Sequence, residues 1–214
     1  TRTLLPDGRL LLVGGQDSSG HVQATLSTTD PLTGVVTILD VGLRVPRAAH
    51  TATVLPDGTV LILGGVGQDG GLVATAEVFD PISGTVRPLA TPSPAARAFH
   101  TATLLTDGRL LIAGGVLAKG MPARAIDLWD FRGQNSATLP SQTTMDRRNH
   151  DANLMPDGRV IFWGGEDSKG NSLSNGHIYD PQSQTVSVVA SLPSLEESGS
   201  ALTEMRASSP QDGA

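Results

Sequence analysis

The 214-residue chain has no cysteine, which excludes disulfide scaffolds, thiolate zinc sites and cysteine nucleophiles. Aromatic residues make up only 3% of the sequence. No apolar run approaches the roughly 20 residues that a membrane-spanning helix needs, and no basic-then-apolar signal segment opens the chain. Basic residues number 15 against 21 acidic ones, giving a net charge of -6. That balance disfavours general nucleic-acid binding, which needs a basic surface to displace counterions.

The chain contains instead four copies of one motif at an interval of 50 residues, with no insertion or deletion. The repeated positions are the Asp-Gly turns at 7–8, 57–58, 107–108 and 157–158, the double glycines at 14–15, 64–65, 114–115 and 164–165, the histidines His50, His100 and His150, and the aspartates Asp30, Asp80, Asp130 and Asp180. Strict repetition of both Asp sets predicts structural turns rather than catalysis, because an active site needs asymmetry and Asp in such turns accepts backbone N–H groups two residues on.

Each copy reads as four short strands. In the second copy these are residues 50–56, 59–65, 76–80 and 85–89, separated by Pro-Asp-Gly, by a Gly/Asp/Ser loop and by an Asp-Pro turn. Counted from the first copy, strands are predicted near 1–5, 9–14, 24–29 and 35–40 and again every 50 residues. No window has the period of an amphipathic helix. A four-stranded unit at this spacing predicts an all-β protein built as propeller blades.

The pattern R-x-x-H-T-A-T-L-L-x-D-G-R-x-L-I-x-G-G…D-P-x-S-G-T resembles the kelch repeat, in the bacterial form of propellers similar to the central domain of galactose oxidase. The resemblance implies a propeller of six or seven blades, about four of them in this chain, with a closed four-bladed propeller as the alternative. The repeats fall at about 1–47, 48–97, 98–147 and 148–197, followed by an innermost-type strand at 199–205. Residues 206–214 resemble a linker or the start of a bacterial Ig-like domain. This chain departs from the kelch pattern where a Trp of the last strand is usual, since Val36, Val86, Ser136 and Val186 stand there.

Two columns of polar residues are candidates for contacts between blades or with a ligand. His50, His100 and His150 share one repeat position, and we expect them to hydrogen-bond within or between blades rather than to share a metal ion, because equivalent residues of successive blades lie far apart. Three residues earlier stand Arg47, Arg97, Arg147 and then Glu197.

Pairing these four with the residues 20 positions before them predicts the contacts Ser27–Arg47, Glu77–Arg97, Asp127–Arg147 and His177–Glu197. If each arginine were paired instead with the residue 30 positions after it, Arg147 would contact His177, a contact with no expected gain. The alternative is that the arginines ring the channel mouth and bind an anionic ligand.

Copper-radical oxidase chemistry is excluded within this chain, since it needs a cysteine cross-linked to a tyrosine and a second tyrosine, and only Tyr179 is present. No catalytic residue, cofactor or metal is assigned. The uniform repeat favours a non-catalytic binding or structural module of a larger secreted or cell-surface bacterial protein, with the periplasm as another location. Its variable blade loops would contact protein or carbohydrate. The alternative is a carbohydrate-active propeller enzyme, similar to sialic acid mutarotases, that uses the central funnel.

Overall fold

A computed structural model describes residues 1–89, 96–132, 135–139 and 145–189 of the chain. The expected strand at 199–205 and the expected linker at 206–214 lie outside the described residues. Within them the fold is all-β, and the one helical element is a short 3₁₀ turn, Ala118–Gly120. In that part of the chain no helix has the length and apolarity needed to cross a membrane.

Sixteen strands form four antiparallel sheets of four strands each, and we call these sheets blades 1 to 4. Blade 1 contains β1 (Arg2–Leu4), β2 (Leu10–Gln16), β3 (Val22–Thr29) and β4 (Val36–Gly42), and blade 2 contains β5 (Thr51–Val54), β6 (Val60–Leu63), β7 (Ala76–Asp80) and β8 (Thr85–Pro88). Blade 3 contains β9 (Thr101–Leu104), β10 (Leu110–Ala113), β11 (Asp127–Asp130) and β12 (Asn135–Thr138), and blade 4 contains β13 (Asp151–Leu154), β14 (Val160–Trp163), β15 (Gly176–Asp180) and β16 (Thr185–Val189).

The strands of each blade pair in the order of the sequence, and the first strands of successive blades contact one another. This is a propeller-like arrangement in which β1, β5, β9 and β13 are innermost. The predicted all-β class and the four strands per repeat are therefore confirmed, with strand ends within a few residues of the predicted ones.

The aspartates of both repeated sets hold the turns, as the sequence predicts. In the first hairpin of blade 1, the Asp7 carboxylate accepts the backbone N–H of Arg9 at 3.0 Å, and in the second hairpin Asp30 accepts that of Leu32 at 2.8 Å. The same bond over two residues recurs at Asp57, Asp107 and Asp157 and at Asp80, Asp130 and Asp180. A carboxylate that accepts backbone N–H groups stabilises the reversal of the chain, so these side chains have a structural role in the turns.

The core lies between the blades. Each blade has a front face, which packs on the following blade, and a back face, which packs on the preceding one. The front of blade 1 places Leu11 and Val13 against Val60, Ile62 and Phe79 on the back of blade 2. Equivalent clusters join Leu61, Leu63 and Val78 to Leu110, Ile112 and Trp129, and join Leu111, Ala113 and Leu128 to Val160, Phe162 and Tyr179. Full burial of each such side chain contributes about 1.5–3 kcal/mol.

The up-and-down order of the strands separates two ends of the molecule. The Asp-Gly hairpins and the Asp-Pro turns lie at one end, which we call the turn end. The loops that follow the double glycines, together with the connections between blades, lie at the other, which we call the loop end.

The double glycines mark the places where one blade's backbone meets the next. Gly65 donates its backbone N–H to the carbonyl of Arg97, in the connection from blade 2 to blade 3, at 2.9 Å. A Cβ on Gly64 would lie 2.5 Å from that carbonyl oxygen and 2.8 Å from Cε1 of His100. Gly14 and Gly114 have equivalent neighbours at their own boundaries. The first glycine of the pairs in blades 1 to 3 is therefore needed for the close approach of the connection to the next blade.

We expect Gly64→Ala to destabilise the protein by about 1–3 kcal/mol more than Gly70→Ala, because the new methyl group collides with a neighbouring backbone. Gly70 is the matched control: its φ of +76° is as unfavourable for alanine as the +68° of Gly64, but nothing lies within 4 Å of its Cβ position. Urea unfolding of both variants measures the difference. Equal losses would show that backbone conformation alone explains the glycine.

Candidate functional site

An arginine at each described blade boundary is shared between two blades. The backbone of Arg47 belongs to blade 1, since its carbonyl accepts the N–H of Gly15 at 2.9 Å and its own N–H donates to the carbonyl of Gln23 at 3.2 Å. Its side chain points the other way and is fully buried in blade 2. There the guanidinium donates to the carbonyls of Thr75 at 2.7 Å and Gly64 at 3.2 Å.

Glu77, on the third strand of blade 2, supplies the counter-charge. Its Oε1 lies 2.6 Å from Nη2 of Arg47, and both side chains are almost completely buried. The same carboxylate accepts the backbone N–H groups of Arg44 at 2.7 Å and Val45 at 3.2 Å, in the connection from blade 1. Burial lowers the pKa of Arg47, and the charge of Glu77 opposes that shift. A hydrogen-bonded buried pair of this kind fixes the blade-to-blade connection in one position.

The boundary between blades 2 and 3 repeats this arrangement. Arg97 forms a buried ion pair with Asp127 on the third strand of blade 3. The other oxygen of Asp127 accepts the hydroxyl of Thr138 at 2.6 Å. The carbonyl of Arg97 is bonded to blade 2 through Gly65.

The boundary between blades 3 and 4 replaces the carboxylate with a histidine. Nη2 of Arg147 lies 2.9 Å from Nδ1 of His177, and the guanidinium also donates to Oδ1 of Asn175 at 3.0 Å and to the carbonyl of Gly164 at 2.7 Å. Because the guanidinium can only donate, His177 accepts at Nδ1 and is neutral. Burial, and then the charge of Arg147, lower the pKa of His177. Arg147 is thus a buried cation held by neutral acceptors.

These contacts correct the predicted pairing. The offset of 20 residues would have joined Glu77 to Arg97 and Asp127 to Arg147. The structure instead joins Arg47 to Glu77, Arg97 to Asp127 and Arg147 to His177, an offset of 30 residues. The guanidinium turns into the blade that follows it rather than back to the blade that precedes it. Glu197, expected to contact His177, lies outside the described residues.

Burial of Arg47, Arg97 and Arg147, which are at most 4% exposed, also separates them from solvent at the loop end. Each of the three guanidiniums is engaged by groups of the blade that follows it. Among the described residues, these side chains therefore tie blades together instead of presenting an open ring to an anion.

The repeated histidines join the innermost strands. Nε2 of His50 lies 3.0 Å from the hydroxyl of Thr1, and Nε2 of His150 lies 3.0 Å from that of Thr101. His100 makes the equivalent contact with Thr51 at 3.3 Å. The expectation of hydrogen bonds between blades is confirmed for these rings. The threonines were not singled out in the sequence, although the repeated His-Thr dipeptide carried the signal. No cluster of three or more potential metal ligands occurs in the described ranges.

Burial of the imidazoles disfavours their charged form. It lowers the pKa of His50 and His100 to about 3 and that of His150 to about 4, and nearby positive charges add to the effect. The rings are therefore neutral at physiological pH.

The loops that follow the double glycines are exposed at their tips and differ between blades. They comprise residues 16–23, 67–73, 117–124 and 166–175. The loops also reach across boundaries: the side chain of Gln68 accepts the N–H of Val22 at 2.6 Å, and Asp146 accepts the N–H and hydroxyl of Ser168 at 3.0 and 2.9 Å.

Two open cavities lie between blades 1 and 2, near opposite ends. The loop-end cavity, of about 420 Å³, is lined by Val45, Gln68 and Leu72 among others. The cavity near the turn end, of about 300 Å³, is lined by Arg9 and Asp40 together with apolar side chains. Both volumes lie within or at the edge of the range of small-molecule sites.

Four sheets of this topology, packed face to face around their first strands, define an all-β protein with a propeller-like fold. The chain is similar to a solved structure described as "Structure of YjhT", with a TM-score of 0.73 and 18% sequence identity, over 90% of this chain and 70% of that one. At this identity the likeness shows the fold alone. No protein-family model matches the chain, and no curated protein matches it either.

We expect Glu77→Ala to destabilise the protein by about 3–5 kcal/mol, because Arg47 would remain buried without its counter-charge. His177→Glu should raise the unfolding midpoint, since it gives Arg147 the carboxylate that the other two boundaries have. Chemical unfolding followed by circular dichroism measures both.

The control for these variants is Arg159→Ala, which breaks an exposed pair of 2.7 Å with Asp157 and should change stability by less than about 1 kcal/mol. A Glu77→Ala variant no less stable than Arg159→Ala would contradict the role given to the buried pair.

Stability should fall as the pH is lowered from about 6.5 towards 4. The unfolded chain binds protons at its histidines from pH 6.5 downwards, whereas His50, His100 and His150 stay neutral in the folded state until about pH 3–4. Each ring therefore removes up to about 1.4 kcal/mol per pH unit within that window. Unfolding free energies measured from pH 7 to 4.5 test this. His100→Gln should flatten the slope; an unaltered slope in this variant would refute the assignment.

Proposed function

We propose that the chain supplies blades of a kelch-type β-propeller that acts as a non-catalytic binding or structural module. The propeller would have six or seven blades and belong to a larger secreted or cell-surface bacterial protein. It would contact protein or carbohydrate through the loops of the loop end.

One observation carries the proposal. The polar side chains that recur in every blade are already bonded inside the fold: the aspartates hold turns, the histidines join innermost strands and the arginines cross blade boundaries. What remains exposed and different from blade to blade is the set of loops after the double glycines. Variable loops on a rigid scaffold are where binding residues concentrate.

The kelch assignment is supported by the structural role of each repeated residue in the motif. In the R-x-x-H portion, the arginine and histidine are the residues that meet the double glycine of the preceding blade. The Asp-Gly pair forms the first hairpin and the Asp-Pro pair the second. The repeated residues of the motif are thus the ones whose contacts form each blade and join it to the next.

The loop-end cavity is a suitable place for a ligand. Its lining includes Gln68, Asp69, Val45 and Leu72, and it opens beside an exposed loop. Hydrogen-bonding groups beside an apolar surface fit a sugar or an extended peptide.

Binding of the chain to an array of immobilised glycans and to a panel of purified bacterial surface proteins tests the proposal. We expect a bound ligand whose affinity falls at least tenfold, or about 1.4 kcal/mol, in the double variant Gln68→Ala, Leu72→Ala. The matched control is Asp40→Ala, which lines the cavity near the turn end and should bind as the unaltered chain does.

Loss of binding in Asp40→Ala but not in the loop variant would move the site to the other cavity and overturn the proposal. Accelerated exchange between sugar anomers, followed by NMR with reducing sugars, would instead establish the enzymatic alternative.

A further inference from the structure

The back face of blade 1 is an apolar surface that no blade among the described residues covers. Leu12 is 42% exposed, whereas its equivalents Ile62, Ile112 and Phe162 in blades 2 to 4 are fully buried. Leu4, Val36 and Ile38 on the same face are 60–70% exposed. Contiguous exposed apolar patches of this kind mark interaction surfaces.

The front face of blade 4 is the matching surface. Ile161 and Trp163 are only partly buried there, although the equivalent front-face residues of blades 1 to 3 lie in the inter-blade clusters. The fold itself shows three times what covers a back face, namely the front face of another blade of this repeat.

The charged residues at the innermost strands also favour contact between these two end faces. In blades 1 to 3 the first residue of the His-Thr edge is a threonine whose hydroxyl reaches the next blade, and in blade 4 this position is the exposed Asp151. The back edge of blade 1 carries the exposed Arg2, whose equivalent Ala52 accepts the hydroxyl of Thr3, two residues beyond Thr1 on the preceding blade. The front edge of blade 4 is therefore acidic and the back edge of blade 1 basic, with the two charges two residues apart in register.

We propose that the back face of blade 1 binds the front face of blade 4 of a second copy, so that the 214-residue chain associates head to tail. The contact is heterologous, because it joins two different faces, and it repeats the packing that already joins blades 1 to 4. This inference rests on the proposed function only for the identity of the blades. In the longer polypeptide proposed there, the additional blades would pack against the same two faces.

Sedimentation velocity over a range of concentrations tests the association. The unaltered chain should form dimers or longer oligomers. Leu12→Arg and Trp163→Glu should each weaken association at least about 100-fold, since each buries an unpaired charge in the contact. Ile82→Arg, in a turn where Ile82 is 92% exposed, is the matched control and should associate normally. Circular dichroism confirms folding of all variants.

Mixing the two weakened variants gives the decisive result. Leu12→Arg keeps an intact blade 4 and Trp163→Glu keeps an intact blade 1, so an equimolar mixture should form a 1:1 complex that neither variant forms alone. A chain that is monomeric at all concentrations overturns the proposal. Association abolished by Leu12→Arg but unaffected by Trp163→Glu also overturns it, because two back faces would then be in contact. Neither result affects the loop-binding test, whose substitutions lie at another surface.

Discussion

A guanidinium buried at the boundary of two blades is the constraint on which the rest of the structure depends. The main chain of Arg47 is bonded to blade 1, and its side chain is bonded to the main chain and carboxylate of blade 2. The double glycine lies against this residue because no side chain fits beside its carbonyl. The histidine three residues later, at the start of the next blade, contacts a threonine at the innermost strand of the preceding blade. One short segment therefore sets the separation of neighbouring blades, and the apolar clusters fill the space it defines.

Much of this fold could be predicted from the sequence. Hairpins follow from local chemistry, so Asp7 and Asp30 indicated their turns correctly, and the repeat interval gave the number of strands per sheet. The structural use of the histidines could also be predicted, because a residue identical in every blade is poorly suited to an asymmetric site.

The partners of the arginines could not be predicted in the same way. The direction of a long side chain depends on tertiary packing, and two offsets were compatible with the pattern of charges. The offset of 30 residues was set aside because it would join Arg147 to His177, a contact from which no gain was expected. In the structure His177 is a neutral acceptor, since burial and the guanidinium itself lower its pKa. The loop-end cavity was equally beyond sequence reasoning, because it is formed between a connection and a loop that are distant along the chain.

The substitution of histidine for carboxylate at the last described boundary has a consequence for how the molecule comes apart. Stability in a stacked repeat is a sum of the stability of each unit and of its coupling to its neighbours. Coupling through Arg147 rests on neutral hydrogen bonds, whereas coupling through Arg47 and Arg97 rests on ion pairs. The boundary of blades 3 and 4 thus lacks the buried ion pair that the other two described boundaries have. We expect blade 4 to be the first unit to separate as denaturant loosens the fold, so that partial unfolding begins at one end of the row of blades.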